Sequence, residues 1–508
     1  MGVLDQMRGL SVQQQPRMCP GQITDDGSST SNTEIKDSTC QKGDGALGAE
    51  MTGSELILPE DILYHIHALM PMRDAARAAG VSCGFRRSWE FYPKLIFDIE
   101  TLGINEDAHE VDKITSDFIS IVDHIMQNHS GIGVKTFRLR TYLCDNMDPV
   151  YVDRWLQSAL TPGIKEFELQ MPWHNKIEYN FPCSLLSTER GNSLQSFLLT
   201  DCAFHSAAEV GCLGNLTTVD LSSVHISGEE LCGFLSNTLA LERLDLTNCN
   251  DIVCLKIPCL LSQLNFLQVQ DCVMLEVIEC SAPNLSKFNY AGRPIHISTL
   301  DPTHLRHIKM ISFNESNMLY SASTKLPFIA PNLQTLFLAS CNEIVNTPMV
   351  SGKFIHLKYL EIVLIRPSCS LDYDFCSLVS FLDGSPALET FILRVEVPSI
   401  RHDSILECSD SNSVHPRQLS GHNHENLKNV MITEHDRDYK SYSEKAPLLD
   451  CITLDTSRGY DDKSGNCSQM FAEDVMEAQR AHLAIRQYLE QNVPSTVSLK
   501  LIEPCSIG

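Results

Sequence analysis

The feature that most constrains this chain is a short apolar pattern that returns thirteen times between residues 134 and 449. Each copy has an apolar residue, two further residues, a second apolar residue, one residue and a third apolar residue, as in Leu241-Leu244-Leu246 and Leu333-Leu336-Leu338. The last two positions point to the same side of a short strand, because side chains alternate along a strand. No single copy can bury that side alone, so the pattern predicts a stack of similar units with one continuous core. The copies begin at Val134, Ile164, Leu194, Leu216, Leu241, Leu264, Leu285, Leu305, Leu333, Leu357, Leu388, Leu427 and Leu449.

The pattern and its mean period of about 26 residues resemble the leucine-rich repeat. Spacings between 20 and 39 residues indicate an irregular array with insertions. The resemblance implies an α/β solenoid with a parallel β-sheet on the concave face and helices and turns on the convex face. We expect convex helices near residues 228–237 and 374–382.

Four repeats carry a cysteine eight residues after their first apolar position, directly preceded by Asp, Asn or Ser. They resemble the cysteine-containing form of the repeat, in which the cysteine packs inward at the turn after the strand. We therefore interpret these thiols as structural markers of the repeat register, not as reactive groups or metal ligands. The four are Cys202, Cys249, Cys272 and Cys341.

A small helical module precedes the array, at residues 54–97. Pro59 suits the first turn of a helix, and Ile66 and Leu69 continue an apolar stripe that ends at Pro71. A second helix is expected over residues 74–79, broken by Gly80, and a third over 85–91. Three short helices cannot hide all the large apolar side chains of this module, so part of its surface is expected to bind a partner. The sequence leaves open whether Ile66 and Leu69 serve the core or that interface.

The module resembles an F-box in the segments Leu-Pro-Glu-Asp-Ile-Leu (58–63), Met-Arg-Asp-Ala-Ala-Arg (72–77), Val-Ser (81–82) and Arg-Ser-Trp (87–89). This resemblance implies docking on the Skp adaptor of SCF ubiquitin ligases and, through it, to a cullin. Gly80 and the Cys83-Gly84 pair depart from the family pattern and are expected to loosen the second turn. The docking set carried over by position is Leu58, Pro59, Ile62, Leu63, Ile66, Val81, Ser82 and Trp89.

The ends of the chain complete the division into parts. The C-terminal region is predicted to contain a helix over 471–491 and a strand over 497–502. His482 lies on the apolar side of that helix and is interpreted as a core histidine, not a ligand. It resembles the FBD-type region of plant F-box/LRR proteins and would close the open end of the array. The predicted parts are a disordered tail (1–53), the F-box (54–97), the repeats (98–419) and the FBD-type region with the last repeats (420–508).

Charge and composition narrow the function. The net charge is −25, of which −22 falls on residues 98–508, so a nucleic-acid-binding main surface is disfavoured. The acidity of this region is explained either by ordinary solubility or by a target protein whose binding surface is basic or neutral. Neither a secretory signal nor a membrane-spanning run is recognised, so we expect the cytoplasm or nucleus and no membrane partner.

No phosphate loop, nucleophile elbow or metal-ligand spacing is recognised. His415, His422 and His424 are interpreted as a solvated loop. We therefore expect no enzyme, cofactor or metal, but a substrate-recognition subunit whose array holds a target protein. Two alternatives remain: a repeat scaffold that does not dock to a ligase, and a small-molecule sensor. An anionic small ligand would require clustered Arg or Lys, in which the array is poor.

Overall fold

The computed structural model describes residues 59–104, 111–144, 147–174, 178–205, 210–299, 304–348, 352–365, 375–396, 424–433, 451–455 and 497–502. The predicted tail at 1–53, Leu58, the predicted helix at 471–491 with His482, and His415 and His422 lie outside these residues. Among the described residues, none of the helices combines the length and apolarity that crossing a bilayer would require.

The N-terminal module consists of three short helices, Glu60–Leu69 (α1), Met72–Val81 (α2) and Cys83–Trp89 (α3). The acidic residues Glu60 and Asp61 lie in the first turn of α1, where the helix dipole favours negative charge. Pro71 separates α1 from α2, as the sequence predicts. The prediction that Gly80 breaks the second helix is wrong, because α2 continues through Val81.

Eighteen strands follow in the described part of the chain. They are Lys94–Phe97 (β1), Thr136–Arg140 (β2), Glu166–Gln170 (β3), Ser196–Thr200 (β4), Thr218–Ser222 (β5), Arg243–Thr247 (β6), Cys254–Ile257 (β7), Phe266–Gln270 (β8), Val277–Cys280 (β9), Lys287–Ala291 (β10), His296–Thr299 (β11), His307–Ser316 (β12), Thr335–Asn342 (β13), Tyr359–Ile365 (β14), Thr390–Glu396 (β15), Asn429–Thr433 (β16), Cys451–Asp455 (β17) and Ser498–Ile502 (β18).

Fifteen of these strands form one parallel sheet in the order β1-β2-β3-β4-β5-β6-β8-β10-β12-β13-β14-β15-β16-β17-β18. Every one of the thirteen predicted repeat starts lies two residues before a strand of this sheet, so the predicted α/β repeat solenoid is confirmed. The second and third apolar positions of the pattern are the buried residues of the strand, as Leu244 and Leu246 are in β6. The sheet already begins at Lys94, within the segment assigned from sequence to the helical module.

The strands β7, β9 and β11 form a second parallel sheet of three strands. Each has only four residues, and β7 and β9 alternate buried with more exposed positions, as Leu255 and Ile257 are buried in β7. The same repeats thus contribute one strand to each sheet, and the apolar side chains of both join a single core.

The remaining described helices connect strands of the main sheet. Val111–Gln127 and Pro149–Ala159 bury one apolar face each, including Phe118 and Trp155. The predicted convex helices are found at Gly228–Leu235 and, as a 3-10 turn followed by a short α-helix, at Phe375–Leu378 and Val379–Asp383. The others are Ile99–Leu102, Cys183–Leu186, Thr188–Gly191 and Met318–Ile329.

The residues before three of the marker cysteines explain the local sequence pattern. Asp201, Asn248 and Asp271 have φ of 56°, 54° and 53°, a left-handed conformation in which Asn and Asp are the best tolerated residues after Gly. The backbone N–H of Asn248 donates to Gln270 of the next strand at 2.8 Å. This sharp turn sends the following side chain back into the core.

Three marker cysteines behave as predicted and one does not. Cys202, Cys249 and Cys272 are buried, and the thiols of Cys249 and Cys272 donate to the carbonyl oxygens of Leu221 and Gln270 at 3.4 and 3.5 Å. Cys341 is only half-buried and lies inside β13, because that strand continues through Asn342 instead of turning before the cysteine.

Candidate protein-docking site

Helix α1 presents apolar side chains to solvent. The carbonyl oxygen of Pro59 accepts hydrogen bonds from the N–H groups of Ile62 and Leu63 at 3.1 and 3.0 Å, which fixes the first turn. Ile62 and Ile66, one turn apart, are exposed, and Leu69 at the end of the helix is 68% exposed. Ile66 and Leu69 therefore lie on the surface and not in the core, the alternative that the sequence left open.

Helix α2 adds the most exposed of these apolar residues. Val81, its last residue, is 89% exposed, and Ser82 after it is half-buried in an extended conformation. Large apolar side chains exposed on one small module are typical of a surface that can bind a partner. We call Ile62, Ile66, Leu69 and Val81 the docking face.

Gly84, a departure from the family pattern, has a definite packing role. A Cβ atom at this position would lie 3.0 Å from Cδ1 of Leu63, so glycine lets α3 approach α1 closely. Gly80 differs, because a Cβ atom there would meet nothing within 4 Å. The expectation that these glycines loosen the module is therefore not supported at Gly84.

Trp89 belongs to the core of the module and not to the docking face. It is 4% exposed, stacks on Tyr92 with ring centroids 5.2 Å apart and lies 6.1 Å from the ring of His67. Its place in the predicted docking set is corrected accordingly. The sequence pattern requires a tryptophan at the end of this short helix whether its side chain faces the core or a partner, so the sequence could not separate a core role from a docking role.

His67 is a buried structural residue that sequence reasoning did not single out. Its Nε2 lies 2.9 Å from the carbonyl oxygen of Ala75, which links α1 to α2. Burial lowers the pKa of His67, with the hydrogen bonds to backbone carbonyl groups acting in the opposite direction. The imidazole is thus held in its neutral form.

The module is joined to the first repeats by direct hydrogen bonds. The Tyr92 hydroxyl donates to the Met70 carbonyl at 2.7 Å, and Nε2 of His129 lies 2.8 Å from the Tyr92 carbonyl oxygen. Ser130 donates from Oγ to the carbonyl of Glu90 at 2.6 Å. The contacts of His129, which is buried, and Ser130, which is exposed, join the module to the first repeats and fix the orientation of the docking face relative to the array, while the Tyr92–Met70 bond lies within the module.

The second candidate surface is the side of the main sheet that faces away from the core, which we call the open face. Between β2 and β6 it carries ion pairs: Arg140 Nε lies 2.5 Å from Glu168 Oε1, and Arg243 Nε lies 2.5 Å from Asp245 Oδ2. Asp220, between these pairs, has a raised pKa because of burial and the neighbouring charge of Asp245. This face therefore presents polar and charged groups at regular strand spacing.

The described residues contain no group of three or more His, Cys, Asp or Glu side chains arranged to hold a metal ion. His424, expected in a solvated loop, is instead buried, with Nε2 3.7 Å from Oδ1 of Asp383. His424 lies outside any helix or strand, as expected, but the prediction that it is solvated is wrong: its carbonyl oxygen accepts from the N–H of Leu427, the first apolar position of a repeat, at 3.3 Å.

Comparison with known proteins agrees with this architecture. Residues 125–506 match the family described as "At1g61320/AtMIF1, LRR domain". Among curated proteins, the F-box/LRR-repeat protein At3g58900 of Arabidopsis thaliana is 28% identical over 38% of this chain and 57% of its own length. This chain thus aligns with little more than half of that relative. The F-box/LRR-repeat protein At4g14096 of the same plant is 24% identical over 71% of this chain and 76% of its own length.

One solved structure, a TLR13–ssRNA13 complex, is 15% identical and covers 75% of this chain and 57% of its own chain, with a TM-score of 0.31. The assignment rests on the family match and on the relatives, together with the repeat sheet described above. The FBD-type resemblance of the C-terminal region stays a prediction. The chain belongs to the At1g61320/AtMIF1 LRR-domain family and is a plant F-box/LRR-repeat protein.

Proposed function

We propose that this protein is the substrate-recognition subunit of an SCF-type ubiquitin ligase. Its docking face binds the Skp adaptor and, through it, a cullin, while the repeat array binds a target protein. The observation that carries the proposal is the exposure of Ile62, Ile66, Leu69 and Val81 on one small module. The names of the relatives, which include both F-box and LRR repeats, support the same division of labour.

The chain itself performs no chemistry in this proposal. Catalysis results from proximity, because a target held on the array is placed near ubiquitin that another subunit carries. Hydrogen bonds between the module and the first repeats, the buried His129–Tyr92 contact and the Ser130–Glu90 contact, make that placement reproducible. We place the protein in the cytoplasm, the nucleus or both, where such ligases act.

Proximity labelling in plant cells tests the proposal with the full-length chain and the double variant Ile62→Asp, Val81→Lys. Asp near the start of α1 and Lys near the end of α2 suit the helix dipoles, so the module is expected to stay folded. A target should be labelled by both chains, should accumulate when the variant replaces the wild type, and should accumulate with the wild type when the proteasome is inhibited. Equal abundance of every labelled protein in all three conditions would reject the ligase role and leave a repeat scaffold.

A further inference from the structure

A group of basic side chains lies on the open face near the middle of the main sheet. Lys287 on β10 is in register with His307 on β12, and Lys309 lies two residues farther along β12. Arg306 directly precedes β12. Neighbouring strands are about 4.8 Å apart, and alternate residues along a strand are about 7 Å apart, so these residues lie within one small area of the sheet. We call these four residues the basic patch.

The side chains of the three strand residues of the basic patch, Lys287, His307 and Lys309, point away from the core, while Arg306 before the strand donates from Nη1 to the carbonyl oxygen of Asn332 at 3.2 Å. Phe288 and Ile308, which alternate with them along the two strands, are buried, whereas Lys287 and Lys309 are exposed and His307 is half-buried. The positive charges influence one another across the strands, because burial and the charges of Lys287 and Arg306 all lower the pKa of His307.

The basic patch lacks the counter-charges that other cations of the open face have. Arg140, Arg243 and Arg394 each pair with a carboxylate of the same or a neighbouring strand. Among the described residues, Lys287, His307 and Lys309 form no ion pair, and Lys309 instead lies with Nζ 4.9 Å from the ring centroid of Phe337.

The open-face positions around the basic patch carry no acidic side chain. These positions on β8, β10 and β13 and on the first five residues of β12 carry no acidic side chain; they present Phe266, Gln268, Gln270, Asn289, Ala291, Ile311, Thr335, Phe337 and Ala339 besides the basic residues. In a chain with a net charge of −25, positive charge has therefore been concentrated at one place without local neutralisation.

We propose that the basic patch is the docking surface for an extended, Asp- and Glu-rich segment of a partner protein. Carboxylates of such a segment would complement the lysines, and its apolar side chains could lie on the half-exposed rings of Phe266 and Phe337. A nucleic acid fits less well, because the strand residues of the basic patch lie on only two neighbouring strands, β10 and β12, whereas a phosphate backbone requires positive charge along the path of several phosphates. The inference deepens the proposed function by naming the chemistry of the target. The identification of the partner as a ligase target rests on the proposed function.

Fluorescence anisotropy with the full-length chain tests this inference directly. The probe is a short fluorescein-labelled peptide of alternating Glu and Ser, and the comparison probes are the matching Gln and Ser peptide and a short single-stranded RNA. The test variant is Lys287→Gln, Lys309→Gln. The control variant is Lys358→Gln, Lys428→Gln, which removes the same charge from two lysines that each lie 3.2 Å from Glu389.

We expect the acidic peptide to bind the wild type and to bind the test variant at least about tenfold more weakly. The control variant should change the affinity by less than about twofold, and Lys287→Arg, Lys309→Arg should retain it. The inference is overturned by absence of binding to the wild type, by equal binding of the Gln and Ser peptide, or by an equal loss in both Gln variants. Tighter binding of the RNA through the same two lysines would overturn the choice of a protein partner.

Failure of this inference and failure of the proposed function give different results. The test variant leaves the docking face unchanged, so it should still bind the Skp adaptor. If the wild type binds the acidic peptide but no adaptor, the basic patch stands as a protein-binding surface and the ligase role is lost. If the wild type binds the adaptor but no acidic peptide, the ligase role stands and the inference about the basic patch is lost.

Discussion

The phenol of Tyr92 donates a hydrogen bond of 2.7 Å to the carbonyl oxygen of Met70, and so joins the end of α1 to the residue that leads into the first strand of the sheet. Tyr92 is 1% exposed, and burial raises the pKa of its hydroxyl group to about 12, so the phenol stays protonated over the physiological range. The carbonyl oxygen of Tyr92 in turn lies 2.8 Å from Nε2 of His129 in the array, so the small module depends on the array for part of its stability and for its orientation.

Removal of this hydroxyl group should weaken the junction. We expect Tyr92→Phe to lower the free energy of unfolding by about 1 to 2 kcal/mol, because the buried Met70 contact loses its donor while the ring packing is retained. Urea denaturation monitored by tryptophan fluorescence measures the change, since Trp89 stacks on this ring. Tyr64→Phe, which removes a hydrogen bond to Phe91 at an exposed site, is the matched control and should have a smaller effect. An equal effect of the two substitutions would contradict the account.

Acidification should destabilise the same junction. Nε2 of His129 lies 2.8 Å from the Tyr92 carbonyl oxygen, and Nδ1 accepts from the N–H of Gly131 at 2.9 Å, an arrangement that requires a neutral imidazole. Burial lowers the pKa of His129 below its ordinary value of 6.5, as it does for His67. The unfolded chain then binds protons more readily than the folded one. Stability should therefore be complete above about pH 6.5 and should fall as the pH drops below it.

Denaturation of the wild type and of His67→Gln, His129→Gln at several pH values checks this expectation. The variant should be less stable at neutral pH but should lose less stability on acidification. An identical pH dependence of the two proteins would show that other groups are responsible.

The two glycines near the docking face should respond in opposite ways to alanine. Gly80→Ala should stabilise the protein by about 0.5 to 1 kcal/mol, because it lowers the cost of forming α2 and its Cβ meets nothing. Gly84→Ala should destabilise it, because Leu63 would have to move away from a contact of 3.0 Å. Thermal unfolding of the two variants side by side gives the comparison. A stabilising Gly84→Ala would mean that the Leu63 side chain gives way without cost, and it would contradict a packing role for glycine at this position.

The left-handed turns should tolerate glycine but not a β-branched residue. We expect Asn248→Val to destabilise the protein by about 1 to 3 kcal/mol and Asn248→Gly to have a much smaller effect, because only valine is strained at a φ of 54°. Denaturant unfolding measures both, and similar losses would attribute the effect to the Asn248 side-chain hydrogen bond with Ser223 instead of to the backbone.

The main sheet could be located from the sequence because the apolar pattern of each repeat fixes where its strand begins and which residues are buried. An apolar residue such as Leu241 marks the entry to a strand, and two further apolar residues at fixed spacing must share one side of it. The strands β7, β9 and β11 escaped detection because each shows only four residues, too few to distinguish from a loop. Cys341 followed the sequence pattern but not the turn, since strand length depends on the neighbouring strands.

The docking face was only partly predictable. Helical spacing identifies which side chains share a side of α1, but not whether that side is covered, so Leu69 and Trp89 could not be assigned to surface and core. The basic patch was not found at all, because Lys287 and His307 are twenty residues apart and become neighbours only through the strand pairing. The array is poor in basic residues overall, which is a statement about composition and not about their arrangement.

Calorimetric titration of the Skp adaptor into the purified full-length chain tests the central claim most directly. The wild type should bind with one-to-one stoichiometry, and Val81→Lys should weaken binding at least about tenfold, because it places a charge on the most exposed apolar residue of the docking face. Leu260→Lys, at an exposed apolar residue in the loop before β8, should bind as the wild type does. Absence of binding by the wild type, or equal binding by all three proteins, would contradict the account.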